Sequence, residues 1–145
     1  MVRSDMNEKV TITIPSHPKY LSVVRAVTAR VGAVCGMNDS LTDGIKLAVD
    51  EACSNVIKHA YRGDTGKKIV VKYKITKKSL EVTIEDNGIK SDVEYMKGRD
   101  LDDLKPGGLG IHFIKKIFDV FELDSRKKVG NRLRLIKYLK GKYEA

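Results

Sequence analysis

The sequence predicts an α+β fold in which helices cover one face of a mostly antiparallel mixed sheet, giving a two-layer sandwich. Three observations lead to this prediction. Two pairs of alternating strand patterns are close enough along the chain to form antiparallel hairpins. Three other segments repeat apolar residues at helical spacing. Strand and helix patterns do not alternate strictly, which argues against a doubly wound parallel sheet.

The first three elements follow in order. Residues 10–14 alternate apolar and polar side chains, so they predict a half-buried strand, which Pro15 ends. Residues 20–34 predict a helix that Gly36 closes. A second helix begins near residue 40, where several side chains can cap it, and runs to about residue 61.

The middle of the chain predicts a hairpin followed by a long loop. Residues 69–75 and 80–84 each keep one apolar face and one polar face, as antiparallel strands of a two-layer fold do. Residues 88–107 show no clear periodicity, apart from a weak helical signal at residues 92–97. Loops of this length are uncommon in a compact domain, so this segment is either a functional lid or contains an element that the pattern does not show.

The last part of the chain predicts a third helix and a second hairpin. Residues 109–118 repeat apolar side chains at helical spacing, and residues 120–125 and 131–139 predict the closing strands. Cys35 and Cys53 lie in the helical patterns without C-x-x-C spacing, so we expect small buried thiols rather than a disulfide or a zinc site.

Size and composition indicate a single domain over residues 1–145. Hydrophobic residues make up 41% and charged residues 32% of the chain, which fits a soluble globular protein and excludes a disordered one. No apolar run reaches the roughly 18 residues of a membrane span, and no secretory signal pattern follows the first methionine. We therefore expect a cytoplasmic protein that does not associate with membranes.

The formal net charge of +9 is concentrated near the C-terminus. Residues 126–142 contain eight basic side chains and no acidic one. The simpler interpretation is a solvent-exposed strand edge and tail, since lysines on an edge strand discourage unwanted pairing. Nucleic-acid binding is the alternative, but aromatic residues are only 6% and no reading motif occurs. We therefore expect no direct nucleic-acid partner.

Polar residues at helical spacing interrupt the apolar pattern of the second helix. Glu51, Asn55 and His59 stand at i, i+4 and i+8, with His59 predicted near the centre of the apolar stripe and the other two at its edge. The simpler interpretation is that Glu51 faces water and His59 bonds to a loop. A functional site is the alternative, because buried polar groups without partners are costly. The stripe comprises Leu41, Ile45, Ala48, Ala52 and Val56.

Two further clusters can each be interpreted as structural or as part of a functional site. Asp86 continues the inward parity of its strand, so it is either the start of an Asp-Asn-Gly turn or a buried acceptor for an exocyclic amine. The segment PGGLG at residues 106–110 opens the third helix, where glycines and a helix N-terminus favour phosphate. Walker and Rossmann patterns do not fit it.

The order of these clusters resembles that of the GHKL ATPases. A helix with E-x-x-x-N, a strand that ends in D-x-G, a long loop and a glycine-rich helix start follow one another. The segments EACSNVIKHAY at residues 51–61 and GGLGIHFI at residues 107–114 are specifically similar to the anti-sigma-factor serine/threonine-protein kinases. The resemblance extends over residues 10–139 and implies the Bergerat-type ATPase fold.

The resemblance assigns roles to individual residues. It implies that Glu51 is the catalytic base, that Asn55 binds Mg²⁺ and that Asp86 accepts from the adenine amine of ATP. It further implies that residues 88–107 form the ATP lid. The other residues implied to bind the nucleotide are Gly88, Lys105, Gly107, Gly108, Leu109 and Gly110.

Two positions depart from the family pattern. Lys90 replaces the last glycine of D-x-G-x-G, so the hinge of the lid is either stiffer or carries a cation that reaches phosphate. Gly130-Asn131 replaces the usual Gly-Thr, and Asn131 can still hydrogen-bond.

The function implied is an anti-sigma factor with serine kinase activity. It would phosphorylate a serine of an anti-anti-sigma antagonist, bind a sigma factor and form a homodimer, with the surface of residues 19–30 contributing to partner binding. A switch kinase that never binds sigma and a non-catalytic sequestering module are the alternatives. The presence of Glu51 argues against the second of these.

Overall fold

The helices lie on one face of a five-stranded sheet in the computed structural model, which describes residues 7–91 and 108–139. Most of the predicted lid, including residues 92–97, therefore lies outside the described residues. The elements are β1 (Glu8–Pro15), a 3-10 turn (Pro18–Tyr20), α1 (Leu21–Val34), α2 (Asp39–Asn55), a π-helical turn (Val56–Ala60), β2 (Lys68–Ile75), β3 (Ser79–Asp86), α3 (Gly108–Ile117), β4 (Val120–Leu123) and β5 (Asn131–Tyr138).

The strand order is β1-β2-β3-β5-β4, and every pairing among these strands is antiparallel. The predicted α+β two-layer fold is thus confirmed. β5 lies between β3 and β4, so the interpretation of its basic residues as a strand edge was wrong. Because β3 and β5 pair antiparallel, the end of β3 at Asp86 lies opposite the start of β5 at Asn131.

One apolar core joins the inner face of the sheet to the helices. Alternate strand residues point inward because successive side chains of a strand face opposite sides. The hydroxyl of Tyr73 enters this core and contacts the Thr28 hydroxyl at 2.6 Å, while Thr28 donates to the carbonyl of Val24. Tyr73 therefore donates to Thr28, and both buried polar groups are satisfied. The fully buried strand residues are Ile69, Val71, Tyr73, Leu80, Val82 and Leu135.

The two cysteines are free thiols in this structure. Cys53 is fully buried in α2, and this burial raises the pKa of its thiol to about 12. Cys35 is half-buried at the end of α1. No helix in the described part of the chain is long and apolar enough to cross a lipid bilayer.

The second helix departs from its prediction near its C-terminus. At Val56–Ala60 it widens into a π-helical turn, where the N–H of Tyr61 donates to the carbonyl of Val56. The extra residue of such a turn shifts the following side chains around the axis by up to about 100°. His59 is consequently exposed, and Ile57 and Ala60 are buried instead. The prediction that His59 lies at the centre of the apolar stripe was wrong.

The outer face of the sheet carries ion pairs across neighbouring strands. Arg132 lies 3.0 Å from Glu85 and 3.2 Å from Asp124, and Arg134 lies 2.9 Å from Glu81. Part of the positive charge near the C-terminus is therefore balanced within the sheet.

Replacing Asp124 with asparagine tests the acid sensitivity of this face. The Asp124 carboxylate is nearly buried and accepts hydrogen bonds from the side chain and N–H of Arg126 and from Arg132, which hold its pKa well below the usual range. Because the folded pKa is lower than the unfolded one, the ionised group stabilises the fold at neutral pH and loses this effect as pH falls. We expect Asp124→Asn to lower the free energy of unfolding at neutral pH and this difference to shrink in acid. Urea unfolding of both proteins, measured from neutral to acidic pH, gives the difference in their free energies of unfolding. A difference that does not change with pH would contradict the prediction.

Candidate functional site

Glu51 lies against the first turn of α3. A Cβ atom added to Gly110 would stand 2.5 Å from Oε2 of Glu51, so only a residue without a side chain leaves the carboxylate in place. The same two helices also touch where Gly44 meets the side chain of Ile117, 2.9 Å from an added Cβ. Small residues on both helices thus let α2 and α3 pack closely, and this packing brings the predicted base and the glycine-rich segment together.

The N-terminal turn of α3 faces this carboxylate. The first N–H groups of a helix have no partner within it, and the aligned peptide dipoles place about half a positive charge there. Gly108 and Leu109 belong to this turn through their backbone. Lys105 and Gly107, which were also predicted to bind phosphate, lie outside the described residues.

Asn55 is the last residue of α2 and is half-buried, as is Glu51. Their separation of four residues places both side chains on the same helix face. The π-helical turn begins directly after Asn55, so the change of helical geometry follows the two polar residues and leaves their relation intact. The structure thus agrees with the predicted i, i+4 arrangement.

Asp86 is a buried carboxylate at the end of β3, with 3% of its surface exposed. Its Oδ1 accepts from the N–H of Gly88 at 2.8 Å and from Nδ2 of Asn131 at 3.0 Å. Burial raises the pKa of Asp86, and the hydrogen bonds from Gly88 and Asn131 act in the opposite direction. The inward direction inferred from strand parity is confirmed.

The turn after Asp86 is bound to the π-helical turn. A Cβ atom on Gly88 would overlap the carbonyl group of Ala60, and the N–H of Ile89 donates to that carbonyl at 2.8 Å. Gly88 is therefore required for close approach to protein backbone. This contact holds Asp86 near the helix that carries Asn55.

Tyr61 braces the same region, and the sequence reasoning did not assign it a role. Its hydroxyl accepts from the N–H of Asn87 at 2.9 Å and donates to the carbonyl of Lys68 at 2.5 Å. The available signal was its position directly after the polar helix motif. An open depression of about 400 Å³ adjoins this brace and is lined by Ala60, Tyr61, Arg62, Lys67, Asn87, Gly88 and Ile89.

The side chains of the two departures from the family pattern, Lys90 and Asn131, each hydrogen-bond to a distant segment of the chain. The ammonium group of Lys90 donates to the carbonyl of Lys127, and the ammonium group of Lys127 donates to Oδ1 of Asn87 at 3.1 Å. Asn131 hydrogen-bonds to Asp86, as its amide allows. In this structure the Lys90 ammonium group is thus bound to the protein backbone.

Replacing Gly110 with alanine is expected to impair catalysis more than folding. The added methyl group would meet the mobile end of Glu51, which can rotate away without moving the backbone. We expect the rate of phosphotransfer to fall at least about tenfold, because misplaced catalytic groups lose the benefit of orientation, with a small change in thermal stability. Gly66→Ala is the control, since Gly66 lies outside both helices and an added Cβ atom there meets only the side chain of Asp64, at 3.3 Å. Equal rates for the two variants would contradict the assignment.

Comparison with known proteins agrees with this geometry. Residues 14–137 match the family model of the histidine kinase-like ATPase domain. The serine-protein kinase RsbW of Listeria innocua serovar 6a is 32% identical over 126 residues, which cover 81% of this chain and 80% of the relative. RsbW of Bacillus subtilis strain 168 is 26% identical over 140 residues, which cover 91% and 86%. The resemblance found in the sequence is confirmed, and the chain belongs to the histidine kinase-like ATPase family, within its group of ATP-dependent serine-protein kinases.

Proposed function

We propose that this protein is an anti-sigma factor that transfers the γ-phosphoryl group of ATP to a serine of an anti-anti-sigma antagonist protein and also sequesters a sigma factor. The observation that carries the kinase part is the carboxylate of Glu51 against Gly110 in the first turn of α3. A base and a phosphate-binding helix end are the two elements that phosphoryl transfer to a hydroxyl needs in one place. Membership in the serine-protein kinases supports the same activity.

The described residues suit ATP with Mg²⁺. The N-terminal turn of α3 offers N–H groups to phosphate oxygens, and buried Asp86 offers an acceptor to the adenine amine. The side-chain oxygen of Asn55 is a hard ligand of the kind that Mg²⁺ prefers. When bound, the nucleotide with its metal supplies the transferable phosphoryl group.

The chain's own residues then act by position and proton transfer. Glu51 would accept the proton of the attacking serine hydroxyl, and Asn55, one turn further along α2, would hold Mg²⁺ when it is bound. The close packing of α2 on α3 fixes the distance between the base and the phosphate-binding turn. Catalysis of this type depends mainly on positioning and electrostatic stabilisation.

The proposed partner surface is the exposed side of α1. Val23 is 44% exposed although it is a large apolar residue, and Arg30 on the same helix is also exposed. An apolar side chain beside basic ones suits a partner with an acidic rim and an apolar centre. We place the contacts with the antagonist, the sigma factor or a second copy of this chain on this surface, and the protein in the cytoplasm where those partners act.

Two assays on the full chain test the proposal. The first incubates the protein with Mg²⁺, ATP labelled at the γ-phosphate and a candidate antagonist, and it follows label on the antagonist's serine. The second tests co-purification with a candidate sigma factor. Labelling without sigma binding would identify a switch kinase, and nucleotide binding without labelling would identify a non-catalytic sequestering module.

A further inference from the structure

Asn131 joins three parts of the candidate nucleotide site. It is the first residue of β5, is 6% exposed and lies opposite Asp86 in the sheet. The preceding Gly130 has a φ of 72°, and a Cβ atom there would overlap the backbone of Asp86. The start of β5 is therefore pressed against the end of β3, which fixes the position of the Asn131 side chain.

The amide of Asn131 acts both as donor and as acceptor. Its Nδ2 donates to Oδ1 of Asp86 at 3.0 Å, to Oδ2 of Asp86 at 3.3 Å and to the carbonyl of Ile89 at 2.9 Å. Its Oδ1 accepts from the N–H of Ser91 at 2.7 Å. Three acceptors on one side and one donor on the other set the orientation of the amide. One side chain thus links the buried carboxylate to residues 89–91, which begin the loop after β3.

Other side chains cannot reproduce this set of bonds. An aspartate would bring a second carboxylate against the oxygens of Asp86 and Ile89, and a threonine hydroxyl has a single hydrogen to donate. A leucine would fill the space but leave the buried groups of Asp86 and Ile89 with one partner fewer. The amide is therefore matched to this position by its chemistry and by its size.

The two oxygens of Asp86 are not equivalent. Oδ1 accepts two hydrogen bonds, from Gly88 at 2.8 Å and from Asn131 at 3.0 Å. Among the side-chain hydrogen bonds of the described residues, Oδ2 accepts the longer one, from Nδ2 of Asn131 at 3.3 Å. Because a carboxylate oxygen can accept two hydrogen bonds, Oδ2 is the oxygen with capacity left for a ligand.

We propose that Asn131 is a positioning residue that orients the Asp86 carboxylate, so that its Oδ2 accepts from the exocyclic amine of the nucleotide base, and that couples this contact to residues 89–91. The inference rests on the proposed ATP site. It concerns base selectivity and the start of the following loop rather than the phosphoryl transfer itself.

The first test measures binding of ATP and of purine riboside 5′-triphosphate, which lacks the 6-amine, by isothermal titration calorimetry. We expect the wild-type protein to prefer ATP and Asn131→Leu to reduce this preference at least about tenfold, the size expected for a hydrogen bond to a charged group. A purely structural role would weaken both nucleotides by the same factor. Asn131→Val, which has no side-chain donor or acceptor, is the second variant, should the leucine variant fail to fold. Arg132→Gln is the matched control, since Arg132 is the next residue of β5 and pairs with Glu85 on the opposite face.

The second test needs no nucleotide. Amide hydrogen exchange at Ser91 should be faster in Asn131→Leu than in the wild type and Arg132→Gln, because the acceptor of this N–H is removed.

An unchanged preference for ATP in variants that still bind it would overturn the role of Asn131 and leave the kinase proposal standing. A wild-type protein that binds neither nucleotide would overturn both.

Discussion

Replacing Glu51 with glutamine is expected to lower the rate of phosphotransfer by about 10²- to 10⁴-fold, which is the usual contribution of a general base. Glutamine has the size of glutamate, so the packing against Gly110 is kept. The neutral amide, however, cannot take the proton of the serine hydroxyl. ATP affinity should change little, since the lost interaction is made mainly in the transition state. Single-turnover transfer of labelled phosphate to the antagonist and calorimetric titration with ATP measure the two quantities.

The neighbouring residue provides the control for this experiment. Asp50 is a carboxylate on the same helix, but it faces α1, where its Oδ1 lies 2.6 Å from the guanidinium of Arg25. Asp50→Asn removes the same charge from the same helix and should leave transfer near the normal rate. If Glu51→Gln transfers phosphate as fast as Asp50→Asn, Glu51 is not the base.

Local patterns predicted the elements of this fold because each pattern has one physical cause. Alternation in Leu80, Val82 and Ile84 reflects the pleat of a strand with one buried face, and extending that parity by two residues places Asp86 inward. The i, i+4 relation of Glu51 and Asn55 is likewise a property of one helix. Both inferences need no information about distant parts of the chain.

Relations between distant segments could not be obtained in this way. The position of β5 between β3 and β4 depends on strand pairing, which periodicity does not encode. The contact between Glu51 and Gly110 depends on how closely α2 and α3 pack. His59 was misplaced because the π-helical turn at Val56–Ala60 is not visible in a pattern of α-helical period.

The same limit explains the two departures from the family pattern. The sequence showed that Lys90 and Asn131 are unusual, but not that both bind to partners contributed by other segments. Lys90 reaches the carbonyl of Lys127, and Asn131 reaches Asp86 and Ile89. Two substitutions far apart in the chain thus act on one place, the start of the loop after β3.

Replacing Asp86 with asparagine is expected to weaken ATP binding roughly 10- to 100-fold and to shift the base preference. Oδ1 can remain an acceptor for Gly88 and Asn131, which places the new NH₂ group at the position of Oδ2. A donor there opposes the adenine amine but suits the 6-oxo group of inosine triphosphate. The loss corresponds to a hydrogen bond to a charged group. Titration with ATP and with inosine triphosphate measures both effects.

Glu85→Gln is the matched control for this change. Glu85 precedes Asp86 in β3 but lies on the opposite face of the sheet, where it pairs with Lys72 and Arg132. It should leave the affinity for both nucleotides unchanged. Asp86→Asn that binds ATP as tightly as Glu85→Gln would show that Asp86 does not contact the base.

The raised pKa of Asp86 predicts how pH affects the stability of the fold and the affinity for ATP. Because burial raises the folded pKa above the unfolded one, the folded state binds more protons between the two values, and stability falls as pH rises through that interval. The ionised carboxylate therefore disfavours folding at neutral pH, and Asp86→Asn should unfold at the same or a higher temperature than the wild type. ATP affinity of the wild type should fall as pH is lowered through the raised pKa, whereas the variant should lack this step. If Asp86→Asn keeps its stability but loses ATP affinity, Asp86 serves binding, since binding sites commonly reduce stability. If Asp86→Asn loses both, Asp86 has a structural role.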